Sequence, residues 1–207
     1  MKTQGAKHYS IAAALVAIAA AVTTSAGITP ASARPALPDG HCVIDAHSRD
    51  RTVNSLRFHC TSRQIVELYK NAPLGTPPTA GKHRLYLLPV SERNGRLGDY
   101  RDAKQFGDLQ SNLGDALTFG VGPQGQPWVY KNYITGLDAG GPLVYAPQSF
   151  VDHKPAWSAD FVRDFAGLPV STHEYRQLTP TVWIGRDFLG PGTVSRPPRQ
   201  ASAIAIA

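Results

Sequence analysis

Asp160, Glu174 and Arg176 are the residues whose types and spacing best suit proton transfer. Side chains alternate between the two faces of an extended strand. In PAWSADFVR, Ser158 and Asp160 therefore stand opposite Trp157, Ala159 and Phe161, and in THEYRQLT, Glu174 and Arg176 stand opposite His173 and Tyr175. If the two runs are neighbours, Arg176 can hold one carboxylate ionised while burial raises the pKa of the other, as general acid–base work requires. The same three residues also make a cross-strand ion pair that fixes register.

Other chemistry is less well served. His173 and Glu174 are adjacent on a strand and point to opposite faces, so they do not form a dyad. Ser149 and Ser158 lack the G-x-S-x-G elbow, and no Ser-His-Asp order stands out. His47, His83 and His153 fall in turns or strand ends without ligand spacing, so neither a metal site nor a cofactor is expected. Trp128, Trp157 and Trp183 occupy matching strand interiors and read as core.

Ligand-orienting groups are easier to nominate. In PWVYKNYI one face carries Trp128, Tyr130, Asn132 and Ile134, and the other carries Val129, Lys131 and Tyr133. In LVYAPQSF, Gln148 shares a face with Val144, Ala146 and Phe150. In a closed barrel one face of each strand lines the lumen, where a few polar groups among aromatics suit a small ligand. Tyr130, Asn132, Tyr133, Gln148, Asp160 and Arg176 are the candidates.

The elements that position these residues lie between Leu143 and Leu189. There LVYAPQSF, PAWSADFVR, VSTHEYRQLTP and TVWIGRDFL are rich in aromatic and β-branched residues and are separated by VDHK and DFAGLP, the layout of an antiparallel meander. With HRLYLLPV, DALTFGV and PWVYKNYI, the candidate strands number seven. Their regular spacing, without a crossover helix, predicts a mainly β fold whose meander closes into a barrel. One or two short helices accompany it. Thr61 and Gln64 form a capping-box pattern before Ile65, Leu68 and Tyr69, and Tyr100, Ala103, Phe106, Leu109 and Leu113 recur at helical spacing.

The chain begins with Lys2 and Lys7, an apolar run from Ile11 to Val22, and the small residues Ala31-Ser32-Ala33. This is the layout of a secretory signal peptide cleaved near Ala33, with a second possible cut after Ala26. The run is too short for a spanning helix, which needs about 20 residues. Residues 34–40 read as a flexible leader, 41–190 as one β-rich domain, and 191–207, a Pro/Ser/Ala-rich stretch, as a disordered tail. Secretion favours a disulfide between the two cysteines, Cys42 and Cys60, which CVIDA and VNSLRFHC would bring together as a hairpin. Zinc held by His41-Cys42 and His59-Cys60 is the alternative.

The formal net charge of +6 falls to +4 once Lys2 and Lys7 are removed. A mildly basic protein without a basic helix or interleaved aromatics is not expected to bind nucleic acid. Arg49, Arg51, Arg57, Arg63 and Lys70 crowd the N-terminal region and suit weak electrostatic contact with acidic envelope polymers.

Over residues 156–189 the chain resembles a bacterial and fungal family of lipocalin-like, fatty-acid-binding-protein-like barrels of the GXWXG type. Asp160-Phe161 stands for its Asp-Tyr strand. Glu174, Arg176, Pro180, Trp183, Ile184 and Gly185 match its following segment, with His173 in place of an Asp, and Leu117 to Gly120 resembles its Trp-containing motif. The resemblance implies a lipocalin-like barrel. The function expected is a secreted barrel binding a small, mostly apolar or amphipathic molecule. The alternatives are an acid–base isomerase, cyclase or lyase on the same barrel, and a cell-envelope interaction module.

Overall fold

A computed structural model of the chain describes residues 34–134, 136, 139–161, 171–190 and 192–207. The expected signal peptide and the turn expected at 164–169 lie outside the described residues. Among the described residues, three helices and nine strands follow in order: α1 (Arg49–Phe58), α2 (Ser62–Asn71), β1 (Gly81–Arg93), β2 (Arg96–Leu97), α3 (Tyr100–Ser111), β3 (Ala116–Val121), β4 (Pro127–Asn132), β5 (Ala139–Ala146), β6 (Ala156–Asp160), β7 (Thr172–Thr179), β8 (Val182–Leu189) and β9 (Gln200–Ile206).

Every strand pair is antiparallel. The order is β1-β3-β4-β5-β6-β7-β8-β9, and β9 pairs back onto β1 to close an eight-strand barrel that is lipocalin-like in kind. Strand β2 folds back on the end of β1 through Asn94-Gly95, both at positive φ, as a tight hairpin turn needs.

The strand that closes the ring corrects the expectation of a disordered tail at 191–207. Its QASAIAI sequence is poor in strand formers, yet it alternates. Ile204 and Ile206 point into the barrel, while Ala203 and Ala205 face a second core outside it. That outer core joins Ala203 and Ala205 to Leu56 of α1, Ile65 and Tyr69 of α2, and Ile184 of β8. Small outward residues let the helices pack close, so alanine serves here where a freely exposed strand would carry a larger side chain. Each fully buried Ile contributes about 1.5–3 kcal/mol.

The expected disulfide is present, and the second correction concerns the hairpin expected to carry it. Cys42 and Cys60 are bonded, with Cα atoms 4.4 Å apart, so neither sulfur is available to zinc. The segment between them, however, folds as α1 and not as the second arm of a hairpin. Ser48 caps it by accepting from Arg51 N, Asp50 sits in its first turn, and Thr52, Val53, Ser55 and Leu56 bury one face. The hydroxyls of that face hold the preceding chain, with Val43 N donating to Ser55 Oγ at 2.7 Å and Asp45 N to Thr52 Oγ1 at 2.9 Å.

Helix α2 carries the full capping box read from Thr61 and Gln64. It ends at Ala72, the residue before Pro73, where the helical conformation is disfavoured. Helix α3 starts on Asp99, which accepts from Arg101 N and Asp102 N. It packs along β1, whose residues after Arg84 have β9 on one edge and no β3 partner on the other. Both ends of the barrel are thereby distinguished. At one, Trp183 Nε1 donates to Thr76 O at 2.8 Å and Trp157 Nε1 to Gly75 O at 3.2 Å, tying the 74–80 loop down. At the other lie α3 and the first residues of β7.

A candidate ligand site under the third helix

The lumen is filled mainly by Leu117, Phe119, Val129, Phe161, Tyr175, Trp183, Ile204 and Ile206. Toward the α3 end its lining changes from apolar to ionic. His173 of β7 and Asp187 of β8 are register partners on the inward face, and Lys131 of β4 and Ser171 join them. His173 Nε2 lies 3.2 Å from Asp187 Oδ1, and His173 Nδ1 lies 2.8 Å from the Tyr175 hydroxyl. Lys131 Nζ donates to Ser171 Oγ and sits 4.6 Å from the centroid of the Phe161 ring.

Local backbone geometry makes room for this. Gly185 faces inward between Trp183 and Asp187, and a Cβ there would lie 2.9 Å from Ile204 Cγ1 and 3.1 Å from Tyr175 Cδ1. The backbone oxygen of Glu174 would lie closer still, at 2.7 Å, so glycine is what lets β8 lie this close to β7 and Ile204.

Electrostatics fix the protonation states. Burial and the neighbouring Lys131 charge lower the His173 pKa to about 4, against an opposing pull from Asp187, so the imidazole is neutral at pH 7. Burial works against ionisation of Asp187, but Lys131 and then His173 outweigh it and hold the carboxyl well below the usual range. Lys131 is lowered by burial and supported by Asp187. Tyr175 is raised well above its ordinary value by burial and by Asp187, so it stays a phenol. The Tyr175 hydroxyl is then placed to donate to Nδ1, leaving the Nε2 proton toward Asp187. With the imidazole neutral, the 3.2 Å approach of Nε2 to Oδ1 is a polar contact and not an ion pair, and its alignment falls short of a hydrogen bond.

Asp187 is also where this cluster meets open space. A cavity of about 340 Å³ lies between α3 and the ends of β1, β8 and β9. Leu87, Val90, Phe106 and Leu189 supply its apolar wall, Gln110 and Ser202 supply polar groups, and Asp187, Glu92 and Arg93 supply charged ones. Ser202 Oγ donates to Asp187 Oδ2 at 3.4 Å.

The residues nominated from sequence fall elsewhere. Asp160 ends β6 opposite Thr172, while Trp157 faces Tyr175, so Arg176 is displaced along the pair by four residues, roughly 13 Å. The two are not brought together. Glu174 and Arg176 lie on the outer face of β7 beneath α2. Glu174 accepts from Tyr69 Oη at 2.9 Å, Ser149 Oγ at 2.5 Å and Phe150 N at 2.9 Å. Burial raises its pKa even so, against those three hydrogen bonds and Arg176. Arg176 forms a two-pronged pair with Asp152 at 2.6 and 2.8 Å and donates to Tyr69 O, Lys154 O and Pro155 O. Each group is held by structural partners.

Tyr130 and Asn132 stand on the outward face of β4, where Asn132 Oδ1 accepts from Thr118 Oγ1 at 2.7 Å. Gln148 is exposed in the loop after β5. Tyr133 packs against the lumen cluster. Lys131 and Asp187 were missed as functional candidates; their signal is the alternation of Val129, Lys131 and Tyr133 and of Trp183, Gly185 and Asp187.

Comparison of the chain with protein-family models, with curated proteins and with solved structures finds no match.

Proposed function

We propose that this protein is a secreted barrel that binds a small, mostly apolar molecule at the α3 end of its lumen. The observation that carries the proposal is the cavity of about 340 Å³ whose apolar wall is interrupted by Asp187, a buried carboxylate with one oxygen lacking a hydrogen bond. A volume above roughly 300 Å³ with few convergent polar groups is typical of small-ligand sites. A hydroxyl or amide N–H on the ligand suits Asp187, and an aliphatic or aromatic body suits Leu87, Phe106 and Leu189.

The lipocalin-like family resemblance and the N-terminal sequence layout support the same proposal. Among the described residues no helix is long and apolar enough to cross a membrane.

Native mass spectrometry of the protein purified from its own secretion medium tests it. A retained small molecule that is lost in Gly107→Phe is expected, because Gly107 of α3 faces Leu87 at the cavity wall, where even a Cβ would lie 3.3 Å from Leu87 Cβ. Retention of the same molecule by that variant, with the fold intact by circular dichroism, would place the site elsewhere.

A further inference from the structure

A second depression, of about 750 Å³, lies outside the barrel between α2, the β1–β2 hairpin and the 197–199 loop. Its wall includes Arg186 of β8, which is 1% exposed. Arg186 Nε donates to Ser202 O at 2.9 Å and Nη2 to Glu92 Oε2 at 2.8 Å, but Nη1 is buried and makes no hydrogen bond. A buried guanidinium nitrogen without an acceptor requires an explanation, and a ligand oxygen supplies one.

The surroundings define that ligand. Arg63, Arg96 and Arg199 are exposed on the same depression and have no ion-pair partner among the described residues, whereas Lys70 is paired with Glu67 and Arg186 with Glu92. The depression thus carries three uncompensated cations around a buried one. Beside Arg186 stand Phe150 and Phe188, edge to face with centroids 5.1 Å apart. Arginine's planar fork favours carboxylate and phosphate oxygens, and the paired rings favour an apolar or aromatic substituent next to the charge.

We infer that this outer depression is a binding site for small organic anions, an oxyanion on Arg186 Nη1 with its apolar substituent on Phe150 and Phe188. The site shares no side chain with the Lys131–His173–Asp187 cluster and does not rest on the lumen proposal.

Titration of the ¹⁵N-labelled full chain with phenyl phosphate, inorganic phosphate and phenol tests the inference. Phenyl phosphate is expected to shift the Phe150, Arg186 and Phe188 amides saturably and to bind at least about tenfold more tightly than inorganic phosphate, with phenol not saturating. The exposed double variant Arg96→Gln/Arg199→Gln, which leaves the buried contacts in place, should weaken phenyl phosphate about tenfold or more. Arg186→Lys, checked for its fold by its amide spectrum, should abolish saturation. Absence of saturable shifts up to about 10 mM, affinity unchanged in the double variant, or inorganic phosphate binding as tightly as phenyl phosphate would each overturn it.

Discussion

His173 and Asp187 face each other across the β7–β8 pair, Nε2 to Oδ1 at 3.2 Å, with the imidazole neutral and the carboxylate ionised. A neutral histidine between a phenol and a carboxylate is a consequence of its burial and of the neighbouring Lys131 charge. The nearby Lys131 charge favours the ionised Asp187 and the neutral His173 alike.

Stability should fall as pH drops from about 6.5 toward 4. The His173 pKa is depressed from 6.5 to about 4 in the fold, so across that window the unfolded chain binds the extra proton and the fold loses up to about 3 kcal/mol. Glu174 acts in the opposite sense, because its raised pKa lets the fold hold a proton that the unfolded chain releases. Urea unfolding at pH 7 and pH 5 of the protein and of His173→Asn isolates the histidine: the variant should lose most of the decrease. Equal decreases in both would remove His173 as its source.

Asp187→Asn should destabilise by about 1–3 kcal/mol, since it removes the carboxylate whose charge supports the buried Lys131. Adding Lys131→Met should restore a large part of that loss. The four chemical denaturation midpoints form a double-mutant cycle, and simple additivity would show that the two charges do not interact.

Tyr69→Phe should cost about 1–3 kcal/mol, because the phenol donates to the buried Glu174 and also contacts Ser149. Ligand retention in the lumen should not change. A variant that loses its ligand while keeping its denaturation midpoint would give the outer face of β7 a functional role.

Deleting residues 200–207 should abolish the cooperative fold, since β9 pairs with both β1 and β8. Near-ultraviolet circular dichroism and the thermal transition report this directly. A truncated protein that still melts cooperatively near the full-length midpoint would mean that the barrel does not need its eighth strand.

The meander from β5 to β8 was legible because aromatic and β-branched runs stood between turn residues, and α2 because Thr61 and Gln64 announced its start. Which face of β7 looks inward was not. Helix α2 covers the outer face there, so Glu174 and Arg176 are as buried as His173 and Tyr175. With both faces dry, alternation separates the two sets of side chains without saying which is inside. In β9 the period was present, but Ala203 and Ala205 answer to the helices above them and not to strand propensity. The site was missed for a related reason. Asp187 acquires its environment from His173 across the β7–β8 hairpin and from Lys131 of β4, far away in sequence, and nothing local to GRDF marks it as buried.

Titration of the ¹⁵N-labelled protein with 1-octanol, an apolar chain bearing one hydroxyl donor, tests the binding proposal most directly. The proposal predicts saturable shifts at Leu87, Phe106, Asp187 and Ser202 that vanish in folded Gly107→Phe. Saturable shifts confined to other surfaces, or none at all with the 340 Å³ cavity intact, would contradict it.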